Sequence, residues 1–332
     1  MQEIEIDFFR KEDAPGVAQL FRRVYGDGYP VDLYYKPERL IEENDARRII
    51  STVVRTKDGE VVGHDALIIL DPDAGLYENA AGLILPAFRG QGTFFRLMSH
   101  TIQDTAKQFG LTEIIGEPVC NHTQLQKMCA QLDYKETGLE ADLMPAAAYT
   151  TEQSARGRVS VMLGYFLHKP EKRAVYVPAV YRDEIEFLYS GLGFERIFSE
   201  PAADLPAAAE SQGKMNIYDF AQVARIAVHC IGSDFDAFIT RLESAARRRS
   251  VMVFQIWLPL TSPFVTAAAA ALRRCGYFIG GLLPNRFLEG DGLLMQKAMH
   301  ETDWDAMALY TERARRIAAI VRNDQKEVGR RA

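Results

Sequence analysis

A chain of 332 residues has room for two domains, each long enough to bury its own core. Apolar residues make up 48% and charged residues 25%, the balance of an ordinary soluble globular protein. A formal charge of −6 supplies no basic field with which to displace phosphate counterions, which excludes nonspecific nucleic-acid binding as the main task. The clusters Arg247-Arg248-Arg249 and Arg313-Arg315-Arg316 read as solvated helix faces. The opening MQEIEIDFFRKED alternates charged and apolar residues, which predicts a strand and not a signal peptide, and no apolar run is long enough to cross a bilayer. Cysteines 120, 129, 230 and 275 have no paired metal spacing and read as reduced thiols, so the expected compartment is the cytoplasm.

In chain order, residues 3 to 9 alternate as a strand, and residues 13 to 25 carry Val17, Leu20, Phe21 and Val24 at helical spacing. A second helix includes Pro37 to Glu43, entered through the proline. Strands over 47 to 56 and 60 to 70 are joined by Lys57-Asp58-Gly59, a hairpin signal. A strand at 76 to 85, a glycine turn, a helix from about 91 to 109, a buried strand at 112 to 117, a helix at 122 to 132 and a strand at 135 to 143 complete the first half.

The glycine turn carries the chemistry. Residues 82 to 95 read GLILPAFRGQGTFF, a strand that breaks at Pro86 and re-enters as a helix through Arg89, Gly90, Gln91 and Gly92. Such a turn presents backbone N–H groups at the positive end of a helix, where a phosphate or pyrophosphate is favoured. Turns also use glycine for positive φ whatever they bind, so two glycines alone do not define an anion site.

The stretch resembles the acyl-CoA-binding motif of the GNAT (Gcn5-related N-acetyltransferase) superfamily: Arg or Gln, two residues, Gly, one residue, then Gly or Ala. Arg89, Gly92 and the lead-in Ile84-Leu85-Pro86 fit it; the final small position is Phe94, a ring set against close approach of a pyrophosphate. The series strand, helix, helix, three strands, helix, strand, helix, strand is also the GNAT order, with the turn after the fourth strand. A Rossmann reading fails because its glycine turn follows the first strand.

The resemblance implies an α/β (α+β) fold of two tandem units, each a mixed, mostly antiparallel sheet flanked by helices. It also implies acetyl-CoA or another acyl-CoA as cosubstrate and no metal. Main-chain groups at Ile84 and Leu85 would meet the pantetheine arm, and the turn Arg89, Gly90, Gln91, Gly92, Thr93, Phe94 would hold the pyrophosphate. Asn121 matches an asparagine near the cofactor in many members, and is equally placed to cap the following helix.

For the base that deprotonates the amine, Glu78 stands at even spacing from Ile84, hence on the same face, and Glu117 ends the fifth strand. Either could act, and either could be a solvated strand carboxylate. Counting back from Asp133-Tyr134, where many members have Gly-Phe, the position of the family's acid tyrosine is Cys129, a thiol or simply a small buried apolar group. Cys120 and His122 form a C-x-H fragment without a second pair.

The second half repeats the first. QLDYKETGLEADLMP (131 to 145) and RCGYFIGGLLP (274 to 284) align Tyr134, Gly138 and Leu139 with Tyr277, Gly281 and Leu282 at an offset of 143. Its counterpart of the glycine turn, HCIGSDFDAF, has one glycine, no arginine and two aspartates, so no CoA is expected there. LYSGLGF within 181 to 198 imitates the tyrosine-helix pattern, but its early place makes Tyr189 a packing residue. The expected division is a GNAT domain at 1 to 146, a linker at 147 to 158, a degenerate GNAT-like domain at 159 to 300, and a C-terminal helix and tail at 301 to 332.

H-T-x-x-Q at 122 to 126 and L-P-L-T-S-P at 258 to 263 also look like GNAT regions found in bacteria fused to anti-sigma-type ATPase domains. The function implied is N-acyl transfer to a small-molecule or peptide amine in a ternary complex, without nucleic-acid or membrane partners and with a homodimer allowed. The rival is a noncatalytic acyl-CoA-binding regulator that retains the fold.

Overall fold

The computed structural model describes residues 3–71, 75–90, 92–146, 157–167, 171–193, 195–288 and 290–330. The chain divides into two compact units. The first comprises residues 1–117, 131–134 and 165–169, and the second comprises 118–130, 135–164 and 170–332. Division by compactness thus puts 118–130 and 135–146 with the second unit, whereas the division by sequence repeat at 146 stays a proposal about how the chain was built. Residues 147–156 of the expected linker lie outside the described residues.

The first unit runs β1 (Ile4–Phe8), α1 (Ala14–Tyr25), α2 (Pro37–Asp45), β2 (Ile49–Thr56), β3 (Val61–Asp71), β4 (Leu76–Ile84), α3 (Thr93–Ser99), α4 (Ala106–Phe109) and β5 (Glu113–Gly116). Its strands are ordered β1-β2-β3-β4-β5, antiparallel except for the parallel pair β4 and β5. The hairpin between β2 and β3 turns at Gly59, with φ +82 and its N–H donated to the Thr56 carbonyl at 3.0 Å.

The apolar stripe of α1 buries Val17, Leu20 and Phe21, which pack with Leu40 of α2 over Val53, Ala66 and Leu83. Strand pleating sends Leu67 to the other face, where it meets Tyr77, Ala106 and Ile114. Helices therefore cover both faces. The helix expected over about 91 to 109 is α3 and α4 joined by a π-helical stretch at His100–Thr105.

The second unit contains α5 (Gln124–Gln131, apart from its last residue), β6 (Lys135–Pro145), β7 (Arg158–Leu167, up to Gly164), β8 (Lys172–Tyr176), α6 (Arg182–Tyr189), β9 (Glu195–Ser199) and β10 (Gln212–Tyr218). It continues with β11 (Val223–Cys230), α7 (Phe235–Arg247), β12 (Val253–Pro259), α8 (Val265–Arg274), β13 (Phe278–Phe287), β14 (Gly290–Ala298) and α9 (Glu312–Gly329). Here β10, β11 and β12 repeat β3, β4 and β5: an antiparallel pair followed by a parallel pair. The two glycines related by the offset of 143 are direct Cα partners, Gly138 of β6 opposite Gly281 of β13.

The C-terminal helix starts at Glu312, about ten residues later than the sequence reading, because Thr311 caps it by accepting from the Ala314 N–H at 2.9 Å. Gln126 occupies the residues before it, donating to the Ala308 carbonyl at 2.8 Å and accepting from the Tyr310 N–H at 2.9 Å. The glutamine of H-T-x-x-Q is therefore a structural clasp. Farther along α9, buried Asp324 pairs with Arg273 and accepts from the Tyr181 hydroxyl at 2.7 Å. Tyr189, the imitation of the family tyrosine, sits on α6 with its hydroxyl donated to buried Asp291 at 2.6 Å.

A side chain at Gly281 would meet the Gly138 Cα within contact distance, and the glycine's φ of +146 disfavours any other residue. Gly281→Ala should therefore lower stability by about 1–3 kcal/mol, whereas Gly59→Ala, with open space around it, should cost only about 1 kcal/mol of backbone strain. Urea unfolding of the two variants checks the order.

Candidate active site

The site begins where β4 and β5 part. Their pairs run from Leu76↔Glu113 to Asn79↔Gly116, and among the described residues none follows, although β4 continues to Ile84. β4 is an inner strand with buried ends, yet Glu78 to Gly82 are half-buried. Its unpaired stretch thus reaches toward solvent in the middle of a sheet, an arrangement that exposes main-chain hydrogen-bonding groups.

A bulge lies in this stretch. Pairing steps from His64↔Leu83 to Ala66↔Ala80, so β4 carries an extra residue, and Ala81 takes φ +57. The bulge corrects the expectation that Glu78 and Ile84 share a face. Ile84 is opposite Gly63 and Glu78 opposite Ile68, and positions 63 and 68 on β3 point to opposite faces. Glu78 is therefore on the His64 and Ala66 face with α1, and the Ile84 side chain is on the face of α3.

Ile84 is buried, and the main chain around it is oriented. Leu85 donates to the Val62 carbonyl at 2.9 Å, which leaves the groups of Ile84 directed away from β3, toward the gap beyond β4. The Ile84 carbonyl accepts from Arg89 Nε at 3.1 Å, so the first residue of the motif ties its turn back to its own strand.

Gly90 and Gly92 have φ of +97 and +74, and a Cβ built on either meets nothing within 4 Å. The glycines serve the backbone conformation and leave open space beside it. Thr93 closes the turn, its N–H and hydroxyl both directed to the Gly90 carbonyl at 3.1 and 3.2 Å. The first helical bond runs from Arg96 to Gly92, which leaves the N–H groups of Phe94 and Phe95 at the helix start without intrahelical acceptors. Open space, forward amides and an exposed Arg89 fit a pyrophosphate. Gln91 lies outside the described residues.

Phe94 packs toward the strand. A Cβ on Gly82 would sit 2.9 Å from the Phe94 ring, so the glycine in β4 makes room for the ring that stands in the motif's last small position. Gly82 thus offsets the bulk of the departure at Phe94.

Two buried polar groups that the sequence reading missed lie on opposite faces of β3, Asp65 on the side of the Phe94 ring and His64 on the side of α1. Asp65, 2% exposed, accepts from Asn79 Nδ2 at 2.9 Å, and burial pushes its carboxyl up to about 7 against the opposing hydrogen bonds of Asn79, Thr101 and Ala66. His64, fully buried, has its ring nitrogens 3.0 Å from the Ala81 carbonyl and 3.1 Å from Ser51 Oγ, and burial holds its pKa down to about 4. The available signal was a His-Asp pair inside the apolar run VVGHDALIIL.

The other expected residues are not all in this unit. Glu117 follows β5 in the first unit, half-buried, whereas Asn121 and Cys129 belong to the segment grouped with the second. Cys129 is 1% exposed on α5. The Cys120 thiol is pushed up to about 12 by burial. No group of His, Cys, Asp and Glu among the described residues could hold a metal ion, and no helix among them is long and apolar enough to cross a membrane.

In the second unit the counterpart of the glycine turn is filled by the protein itself. A Cβ on Gly232 would collide with the main chain of Ala209 to Ser211, Ser233 donates to the Ala209 carbonyl at 2.8 Å, and the Asp234 carboxylate accepts from the Ser211 N–H at 2.7 Å.

A strand parted from its parallel neighbour just before a glycine turn and helix decides the architecture. The element order is the one that the resemblance to the GNAT superfamily implies.

No protein-family model matches the sequence, and no curated protein matches it. Solved structures do. The ribosomal-protein-S5-alanine acetyltransferase from Vibrio fischeri shares 15% identity over 51% of this chain and 95% of its own, with a TM-score of 0.41. An N-acetyltransferase from Staphylococcus aureus Mu50 shares 15% over 50% of this chain and 99% of its own, TM-score 0.41. A Salmonella typhimurium protein, yncA, described as an acetyltransferase and solved with its cofactor acetyl-CoA, shares 15% over 51% of this chain and 96% of its own, TM-score 0.41.

Two outcomes follow from this geometry. Asp65 holds its proton in the folded state up to about pH 7, above its unfolded value of 3.8, so its contribution to stability falls as pH rises between these values. Asp65→Asn should gain on the wild type by about 1.4 kcal/mol per pH unit across that window, as measured by denaturant unfolding at a series of pH values. Phe94→Ala should lose about 2 kcal/mol of stability from the space left over Gly82 while changing acetyl-CoA affinity by less than about threefold, as read by calorimetry.

Proposed function

We propose that the first unit is an acyl-CoA-dependent N-acyltransferase that moves an acetyl or other short acyl group to an amine by direct attack in a ternary complex. The observation that carries this reading is the unpaired reach of β4 beyond Asn79 and Gly116, leading straight into the turn at Arg89 to Thr93. Bound acyl-CoA would supply the thioester carbonyl and the thiolate leaving group. The chain supplies a place for each charged part: forward amides and Arg89 for the pyrophosphate, and main-chain groups of Ile84 aimed at the gap for the arm.

In the transfer the amine nitrogen bonds the carbonyl carbon, the C–S bond breaks, and the amine proton leaves to a base. Glu78 is our candidate because it stands half-exposed on the α1 face, opposite the face that carries α3 and the turn, so amine and acyl-CoA can approach β4 from different sides. Glu117, next to the end of β5, is the alternative.

The test is a pair of variants at the turn. Both Gly92→Ala and Gly92→Glu share the strain of φ +74, but only the glutamate adds charge where the pyrophosphate would lie. Calorimetry should show acetyl-CoA binding weakened by about tenfold or less in the first and lost in the second, the folded state being checked by circular dichroism. Equal affinity in the glutamate variant and the wild type would refute the site. Binding of acetyl-CoA without release of free thiol over a panel of amines would favour the noncatalytic regulator.

A further inference from the structure

Tyr34 is 1% exposed, and its hydroxyl has no hydrogen-bond partner among the described residues. Leaving such a group unpaired costs roughly 1–3 kcal/mol, so its retention in a well-packed place calls for a reason outside packing. The residue lies in the short 3-10 turn Asp32–Tyr35 between α1 and α2. Its ring stacks on Phe21 with centroids 4.4 Å apart and meets Tyr29 and His64 edge-on at 5.6 and 5.4 Å. His64 does not relieve it, since both its ring nitrogens are engaged elsewhere.

Facing this cluster is the His64 side of β4, on which Glu78 stands half-exposed. The Tyr29 ring is 5.0 Å from Tyr25 and 4.9 Å from Phe21, and its N–H donates to the Tyr35 hydroxyl at 2.9 Å, so the loop 26 to 36 is folded onto its own rings. Burial raises the pKa of the Tyr29 and Tyr34 hydroxyls, and Glu78 raises both further. Tyr25 and Tyr35 add to the effect on Tyr29, and Asp65 and Tyr29 to that on Tyr34. The cations beside the loop are engaged: Arg22 of α1 is bonded to the Tyr35 carbonyl and stands 5.7 Å over the Tyr35 ring, and Lys36 pairs with Asp32. The rings, which reach His64, and the Glu78 carboxylate thus share one face of the sheet, beside the half-exposed middle of β4.

We propose that Tyr34, Tyr29 and Glu78 select the acceptor as an aliphatic amine that carries no carboxylate beside it. Glu78 pairs with the arriving ammonium, the tyrosine ring supplies a cation-binding face, and the Tyr34 hydroxyl gains its missing partner by accepting an N–H. A carboxylate on the same carbon would be brought against Glu78 and the hydroxyl oxygens, while Arg22 and Lys36 are engaged with Tyr35 and Asp32. The inference rests on the acyltransferase reading for the word acceptor, but the recognition itself requires no acyl-CoA.

The probes are 1,5-diaminopentane and L-lysine, which differ by the carboxylate alone. Calorimetry on the full chain without acetyl-CoA should give at least about tenfold tighter binding of the diamine, and Glu78→Gln should remove most of that preference. Tyr34→Phe keeps the ring and its stacking and removes the unpaired hydroxyl, so it should raise the melting temperature by a few degrees while weakening the diamine by about fivefold. Equal affinities, a preference for lysine, or no binding of either probe would overturn the proposal. A parallel acetyl-CoA titration separates the two readings: cosubstrate bound without amine discrimination defeats this inference alone, and discrimination without cosubstrate binding defeats the transfer reaction alone.

Discussion

One residue too many in β4 organises the first unit. A regular β4 would keep Glu78 and Ile84 on one face; with Ala81 at φ +57 inserted, the two turn to opposite sides of the sheet. The strand then serves two surfaces at once. One carries the turn, α3 and the Ile84 main chain, and the other carries Glu78 and the tyrosines between α1 and α2. A bulge costs ladder hydrogen bonds, and here the lost bonds coincide with the point where β5 leaves the pairing. Separation of faces and exposure of backbone thus meet in one short stretch of β4.

Local compensation appears again around Phe94. A phenylalanine in a position that favours glycine or alanine would stand in the way of a ligand if the strand beneath were ordinary. Gly82 removes the obstructing side chain, and the ring lies on bare backbone beside Asp65. The apolar cover explains why burial dominates the Asp65 carboxyl, while on the opposite face of β3 the rings of Phe21 and Tyr34 cover His64 and burial holds its pKa down.

Much of this was legible in the sequence where a residue type announces its backbone. Lys57-Asp58-Gly59 gave away a hairpin because only glycine sits easily at φ +82, and the spacing of Val17, Leu20 and Phe21 traced α1 onto the sheet. The bulge was not legible, because alanine carries no mark of a left-handed conformation, and the face of Glu78 was misread as a direct result. Nor could periodicity reveal Asp65 and His64 as a buried polar pair, since alternation on a strand covered on both sides assigns no solvent face. Tyr34 read as an ordinary loop aromatic; only its lone buried hydroxyl distinguishes it. Cys129 was reached by counting along a helix, and counting does not say which compact unit a helix joins.

The offset of 143 seen in the sequence coincides with a physical contact. Gly138 and Gly281 lie opposite each other with main chains too close for any side chain, so each glycine is a condition on the other. In the second unit, Ala209 to Ser211 lie across Gly232 and spend the local donors and acceptors on the protein's own chain. Where the glycine turn of the first unit leaves open space, the matching stretch of the second is upholstered by the protein's own chain.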